Sequence, residues 1–210
     1  MSADHLRLTQ WLSPAFPTGA YAYSQGLEWV LGPGGIRDAA AVRTWLERVL
    51  RQGVAWQDAV LLALALQPNG DLDHLSDLAE ALASSSGRLR DMLDQGRAFA
   101  ATLRAMGHHA PPRPLPVAVG QAARSLDLPH ELILAQFLQA WALNLATIAV
   151  RAVPLGQSDG QRIAQALQPL ILATAAAAVR ATEDDLGAAG FGADLAGMLQ
   201  ETLDVRIYRT

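Results

Sequence analysis

A chain of 210 residues with 51% hydrophobic content can bury a full core in one domain without metal or disulfide staples. Its formal net charge of -4 gives no electrostatic reason to expect nucleic acid or an anionic membrane surface, which leaves a folded protein as the expected partner. Cysteine is absent and all 16 basic residues are arginines, so disulfides, thiol nucleophiles, lysine Schiff bases and the phosphate-binding lysine of a P-loop are excluded together.

The opening Met1-Ser-Ala-Asp-His-Leu-Arg7 lacks the basic-then-apolar pattern of a secretion signal, and a cytoplasmic location is expected. Residues 12–28 carry the densest information. Pro14 and Pro17 push the residues before them out of the α region, so the pattern predicts a helix only after Pro17, with Thr18 as N-cap. On that helix Ala20, Tyr23, Leu27, Val30 and Leu31 share an apolar stripe. Tyr21, Ser24, Gln25 and Glu28 share a polar one headed by an aromatic, and Ala22, Gly26 and Trp29 make a third face. A glycine inside a helix costs roughly 1 kcal/mol against alanine, so Gly26 points to the close approach of another backbone. Core packing accounts for Tyr23, Leu27 and Gly26; it accounts less well for Tyr21, Gln25 and Glu28.

From Asp38 onward the helical spacing is clearest, with Val42, Trp45, Leu46, Val49 and Leu50 on one stripe, Asp38 as cap and Gly53 as stop. A helix through Trp56 to Leu66 ends at Gln67-Pro-Asn-Gly70, and Asp71 opens another with the stripe Leu72, Leu75, Leu78, Ala79 and Leu82. Ser84-Ser-Ser-Gly87 connects to a helix from Arg88 to Met106, followed by the extended segment Pro111-Pro-Arg-Pro-Leu-Pro116. Further helices are expected near 117–126, 130–153 and 159–180, the last opened by the capping-box spacing Ser158-x-x-Gln161 and bent at Pro169. Thr182-x-x-Asp185 and Phe191 to Thr202 predict a short terminal helix. The apolar stretches 131–150 and 163–179 approach membrane-spanning length, but Gln136, Gln139 and Asn144 interrupt one and alanine with Pro169 dilutes the other, so both read as core helices. No alternating strand and no internal repeat is found. The expectation is an all-α, single-domain bundle of about nine or ten helices over residues 1–210, with 204–210 a flexible tail.

A search for chemistry finds no Gly-rich phosphate loop, no His-Glu-x-x-His pair and no Gly-x-Ser-x-Gly elbow, which argues against an enzyme and for no catalytic residues. His108 and His109 are adjacent, but neighbours on a helix point about 100° apart, so one chain makes a poor chelator there and no metal site is assigned. The carboxylates Asp71, Asp73 and Asp77, and Asp184 and Asp185, occupy first-turn positions where the helix dipole explains them. On the very apolar helix beginning at His130, Gln136, Asn144, Thr147 and Arg151 fall within about 80° of one another. They are a set of satisfied interhelical hydrogen bonds or an edge reaching solvent, the alternative being the lining of a wetted seam between helices.

The stretch Ser13-Pro-Ala-Phe-Pro-Thr-Gly-Ala-Tyr-Ala-Tyr-Ser-Gln-Gly-Leu-Glu28 resembles the opening signature of the UreF family of urease accessory proteins. Gln95-Gly-Arg-Ala-Phe99, Pro116-Val-Ala-Val-Gly-Gln-Ala-Ala-Arg124 and Pro154-Leu-Gly-Gln-Ser-Asp-Gly-Gln-Arg162 follow in the family's order. The ending Glu201-Thr-Leu-Asp-Val-Arg-Ile-Tyr-Arg-Thr210 is similar to the family's, except that Gln200 stands where a histidine is usual and Ile207-Tyr208 replaces a leucine-phenylalanine pair, which puts a C-terminal nickel ligand in doubt. The resemblance implies an all-helical homodimer that joins the accessory protein UreD (also called UreH) and presents a surface to the GTPase UreG, the complex acting on apo-urease. Nickel and GTP are then handled by the partner complex, with no cofactor bound directly.

Within that picture Tyr21, Ser24, Gln25 and Glu28 are expected on the GTPase-facing surface, because tyrosine in a polar setting is a common interface anchor. Glu201, Arg206, Ile207, Tyr208 and Arg209 are expected to dock on UreD/UreH, an arginine and aromatic tail ordering on binding. A different expectation is a GTPase-activating protein that inserts Arg151 or Arg162 as an arginine finger; a third is a helical small-molecule binding module.

Overall fold

The computed structural model describes residues 2–32, 35–187 and 190–209. Among them no strand occurs, and ten α-helical segments follow one another: α1 (Ala3–Trp11), α2 (Leu27–Val30), α3 (Ala39–Gln52), α4 (Val54–Leu66), α5 (Leu72–Ala81), α6 (Ser86–Ala105), α7 (Leu115–Ala123), α8 (His130–Ala152), α9 (Gln157–Ala178) and α10 (Phe191–Gln200). Two 3-10 turns, Ala20–Ala22 and Glu183–Asp185, complete the order. The all-α expectation holds.

Helix α4 is the axis of the bundle. It is apolar nearly all round, and Ala55, Ala59, Val60, Leu61, Leu62, Ala65 and Leu66 are buried against α3, α5, α7, α8 and α9. A helix apolar on every side must be surrounded by other elements. Truncating such a side chain, Leu61 or Leu62 to alanine, costs about 2–5 kcal/mol. Helices α8 and α9, joined by a short loop, make the most extensive pairing, and α3 packs across α9. Asp38 caps α3 through its carboxylate to the Ala41 N–H at 2.8 Å, and Gly53 ends α3 and opens α4, as the sequence predicts. Asp71 caps α5 and Ser85 caps α6.

The proline-rich segment before α7 is drawn tightly onto α6. A side chain at Gly96 would collide with the Arg113 carbonyl, so glycine there is a packing requirement. Arg113 bonds the Leu72 carbonyl at 2.8 Å, and Arg124 reaches the Ala65 carbonyl at 2.7 Å, tying α7 to α5 and to the end of α4.

Several local expectations are corrected. Residues 3–11, given no element from sequence, form α1, with the Ser2 hydroxyl accepting from the His5 N–H. No continuous helix runs from Thr18 to Leu31: Gly19 at φ 75° leads a 3-10 turn, residues 23–26 are irregular, and α2 is a single turn. The three faces drawn on that helix therefore do not exist. The physical reason is tertiary: the polar side chains of this segment take partners on α6, α8 and α10 that a straight helix would not reach. Helix α9 begins two residues earlier than expected, its first turn closed by the Asp159 carboxylate on the Gly156 N–H at 2.8 Å rather than by Ser158 and Gln161. Thr182 and Asp185 close a 3-10 turn, not the terminal helix.

Candidate partner-recognition site

The N-proximal segment 19–31, helix α10 and residues 204–209 come together on one side of the bundle. Two sets of residues that the sequence separates by some 180 positions meet here. The Glu28 carboxylate accepts the backbone N–H of Ile207 at 2.7 Å and of Tyr208 at 3.1 Å. The Arg209 N–H donates to the Ala22 carbonyl at 2.8 Å. Tyr208 is buried, while Val205, Arg206, Ile207 and Arg209 remain exposed. Segment 204–209, expected as a flexible tail, is thus laid back on the residues just ahead of and within α2. A carboxylate receiving two consecutive backbone donors is a charge-assisted clamp, stronger than neutral pairs.

Beneath this surface lies a polar network. The Ser24 hydroxyl donates to Gln200 Oε1 at 2.9 Å, and Gln200 Nε2 donates to the Glu28 carboxylate at 3.3 Å. Gln25 Nε2 donates to Asp91 at 3.0 Å while its Oε1 accepts the Trp141 indole N–H at 2.7 Å. Asp91 also accepts from Gln95 and from Arg88, and Arg88 turns its other nitrogen to Asp58 on α4. Burial pushes the Asp58 and Asp91 carboxyls up, against the attraction of the single guanidinium between them. Two carboxylates around one buried arginine make the cluster sensitive to loss of the cation. Burial also raises the Tyr23 phenol, against a hydrogen bond with Arg209 and with Asp94 and Asp91 adding to the rise; its hydroxyl donates to Asp94 at 3.3 Å.

The remaining sequence-predicted residues disperse. Of the four expected to face a GTPase, Tyr21 is 66% exposed, Ser24 is wholly buried, and Gln25 and Glu28 spend their side chains on internal bonds. Glu201 does not join the tail: its carboxylate caps the start of α6, accepting from Gly87 N–H at 2.7 Å and Ser86 hydroxyl at 3.0 Å. The four seam residues of α8 find separate uses. Gln136 pairs with His5, Asn144 donates to the Ala20 carbonyl at 3.0 Å, Thr147 bonds back to its own helix, and Arg151 is exposed. Two contacts to other elements, one bond within α8 and one solvent-exposed arginine describe them, rather than a shared seam. Arg162 is exposed and paired with Asp159. His108 lies edge-on against Trp11, and His109 is exposed.

Sequence reasoning missed Asp58, Arg88, Asp91, Trp141 and Gln200. A signal existed: Arg88, Asp91 and Gln95 recur at helical spacing on the same face as Met92 and Phe99, which are core, and charged residues in that position need buried partners.

Seven of the ten large apolar side chains left exposed among the described residues belong to these three segments: Tyr21, Trp29, Phe191, Leu195, Met198, Val205 and Ile207. An apolar groove beside them is lined by Trp29, Trp45, Leu195, Leu199 and Leu203. Apolar surface concentrated in this way is the mark of a protein-recognition face. The fold defines an all-helical protein in which segment 19–31, α10 and residues 204–209 share one face rich in exposed apolar side chains.

Comparison with known proteins gives the family. The UreF family model matches residues 36–168. A urease accessory protein UreF from Cereibacter sphaeroides is 54% identical over 211 residues, covering 100% of both chains. Relatives of the same description from a Jannaschia species and from Paracoccus denitrificans are 50% and 47% identical, covering 98% and 99% of this chain and 94% and 97% of their own. The chain belongs to the UreF family of urease accessory proteins.

Proposed function

We propose that this protein is a non-catalytic, cytoplasmic subunit of a nickel-insertion chaperone for urease. In this reading it forms a homodimer, binds UreD/UreH and UreG through distinct faces, and couples the GTP state of UreG to nickel delivery into apo-urease by binding one conformation of the GTPase better than another. The nickel is cargo and the nucleotide belongs to the GTPase, so neither is a resident cofactor of this chain. The observation that carries the reading is the concentration of exposed aromatic and aliphatic side chains on segment 19–31, α10 and the docked C-terminal residues. Tyr21 stands out as an anchor for the GTPase, and Arg206, Ile207 and Arg209 as contacts for UreD/UreH, with Tyr208 and Glu28 fixing the backbone that presents them.

The test is co-expression with UreD/UreH, UreG and apo-urease, followed by size-exclusion analysis with and without GTP and nickel. Co-elution that responds to nucleotide, lost with Tyr21→Ala or on removal of residues 204–210, supports the proposal. Intact complexes from both altered proteins defeat it. Single-turnover GTP hydrolysis by UreG separates this from an arginine finger, which would accelerate hydrolysis by about 10³-fold or more and lose that effect in Arg151→Ala or Arg162→Ala.

A further inference from the structure

The chain reverses between the first 3-10 turn and α2 through two successive left-handed residues, Gln25 at φ 53° and Gly26 at φ 83°. Glycine enters this region freely, but glutamine does not, and Gln25 is the one non-glycine residue with positive φ among the described residues. A conformation of this kind persists only where the surroundings over-determine it. Here the surroundings are explicit. The Gln25 amide is spent on two rigid helices, donating to Asp91 of α6 at 3.0 Å and accepting from Trp141 of α8 at 2.7 Å. Asp91 is itself fully buried and fixed by Arg88 at 2.9 Å and by Gln95. On the opposite side the turn meets α10, since a Cβ on Gly26 would stand 2.7 Å from the Gly197 nitrogen. One side chain thereby ties segment 19–31, which packs on α10, to both α6 and α8.

We propose that Gln25 is a positioning residue for the recognition surface: its bridge between Asp91 and Trp141 locks the left-handed turn that holds Tyr21, α2 and α10 in the arrangement a partner reads. The identity of the partner rests on the function proposed above; the bridge does not. Gln25 acts through the fold, its amide being spent on Asp91 and Trp141.

Two substitutions separate the side chain from the backbone. Gln25→Leu keeps bulk and removes both bonds; Gln25→Gly removes both bonds while making the left-handed conformation easy, so it retains the fold. The Trp141 indole N–H resonance and the backbone amide shifts report the bridge without any partner, and capture of co-expressed UreG and UreD/UreH reports recognition. Both variants are expected to move the indole signal and the amides of 19–31 and α10 while α4 stays in place. Capture is expected to fall about tenfold, whereas a Val60→Ala control of matched melting temperature captures normally. Wild-type capture by Gln25→Gly, or shifts spread evenly through the bundle, would overturn the proposal. Wild-type capture by Tyr21→Ala together with displaced 19–31 amides and weakened capture in the Gln25 variants removes Tyr21 as the anchor and leaves the positioning role supported.

Discussion

Ser24 and Gln200 lie 176 positions apart in the chain, yet their side chains share a 2.9 Å hydrogen bond out of reach of solvent. The same glutamine reaches Glu28, so one amide closes the last helix onto the segment preceding and containing α2. Replacing it by leucine removes the oxygen that accepts from the Ser24 hydroxyl and a donor to the Glu28 carboxylate. Gln200→Leu is expected to lower unfolding stability by about 1–3 kcal/mol, measured by urea denaturation, and Ser24→Ala by a similar amount, since it takes the donor from the buried Gln200 Oε1 and the acceptor from the Glu28 N–H.

Arg88 is the cation on which two buried carboxylates depend. Arg88→Met is expected to cost about 3–5 kcal/mol near neutral pH, and Asp58→Asn distinctly less, since the amide lowers the excess of negative charge. Both carboxyls sit above the ordinary aspartate value because of burial, so they bind protons more readily folded than unfolded. The Arg88→Met protein should therefore regain stability as pH falls toward the carboxylate range, a trend that denaturation curves at several pH values would reveal.

Glu201 behaves in the opposite sense. Backbone donation from Gly87, helped by Ser86, Ser85 and Arg90, outweighs burial and holds its carboxyl below the usual glutamate range. Its support of α6 is present above the unfolded glutamate value and is lost as pH falls through the lowered folded one. Glu201→Gln should flatten the acid limb of the stability profile, and amide exchange at the start of α6 should quicken; unchanged exchange at Gly87 and Arg88 would contradict this role.

His74 of α5 pairs with Glu183 at 3.0 Å, fastening α5 to the second 3-10 turn. The hydrogen bond to Glu183 and the charges of Glu183, Asp71 and Asp77 raise its pKa above the usual histidine value. The fastening is fully present below the unfolded value and fades as pH rises through the higher folded one. An NMR titration should place His74 above the usual histidine value, and Glu183→Gln should bring it down. Both groups are well exposed, so melting temperature should hardly change.

The parts of the fold with a repeating pattern were readable. The stripe of α3, its Asp38 cap and the Gly53 stop emerge from spacing and chemistry alone, because burial of one helical face imposes a period that composition records. Segment 19–31 was not readable in that way. Its residues fit a helical period, but Gln25 and Gly26 adopt left-handed angles under bonds from distant helices, which no local pattern encodes. The close approach inferred for Gly26 proved right, and its neighbour is the backbone of Gly197. The signature stretches that identified the family divide accordingly: Gln95 secures Asp91, Gly96 admits the proline segment and Arg124 fastens α7 to α4, all architectural duties.

The way both chain ends complete the core limits how this molecule can be dissected. The main apolar cluster includes Leu8, Trp11, Phe16, Leu27 and Leu31 from ahead of the family-model boundary and Ile171, Ala175, Ala178 and Tyr208 from beyond it. A fragment cut to residues 36–168 would keep Asp91 and Trp141 but forfeit Gln25, leaving a raw greasy flank where the missing pieces belong. Recombinant work on individual portions should expect inclusion bodies, and intact polypeptide is the sensible unit for every assay.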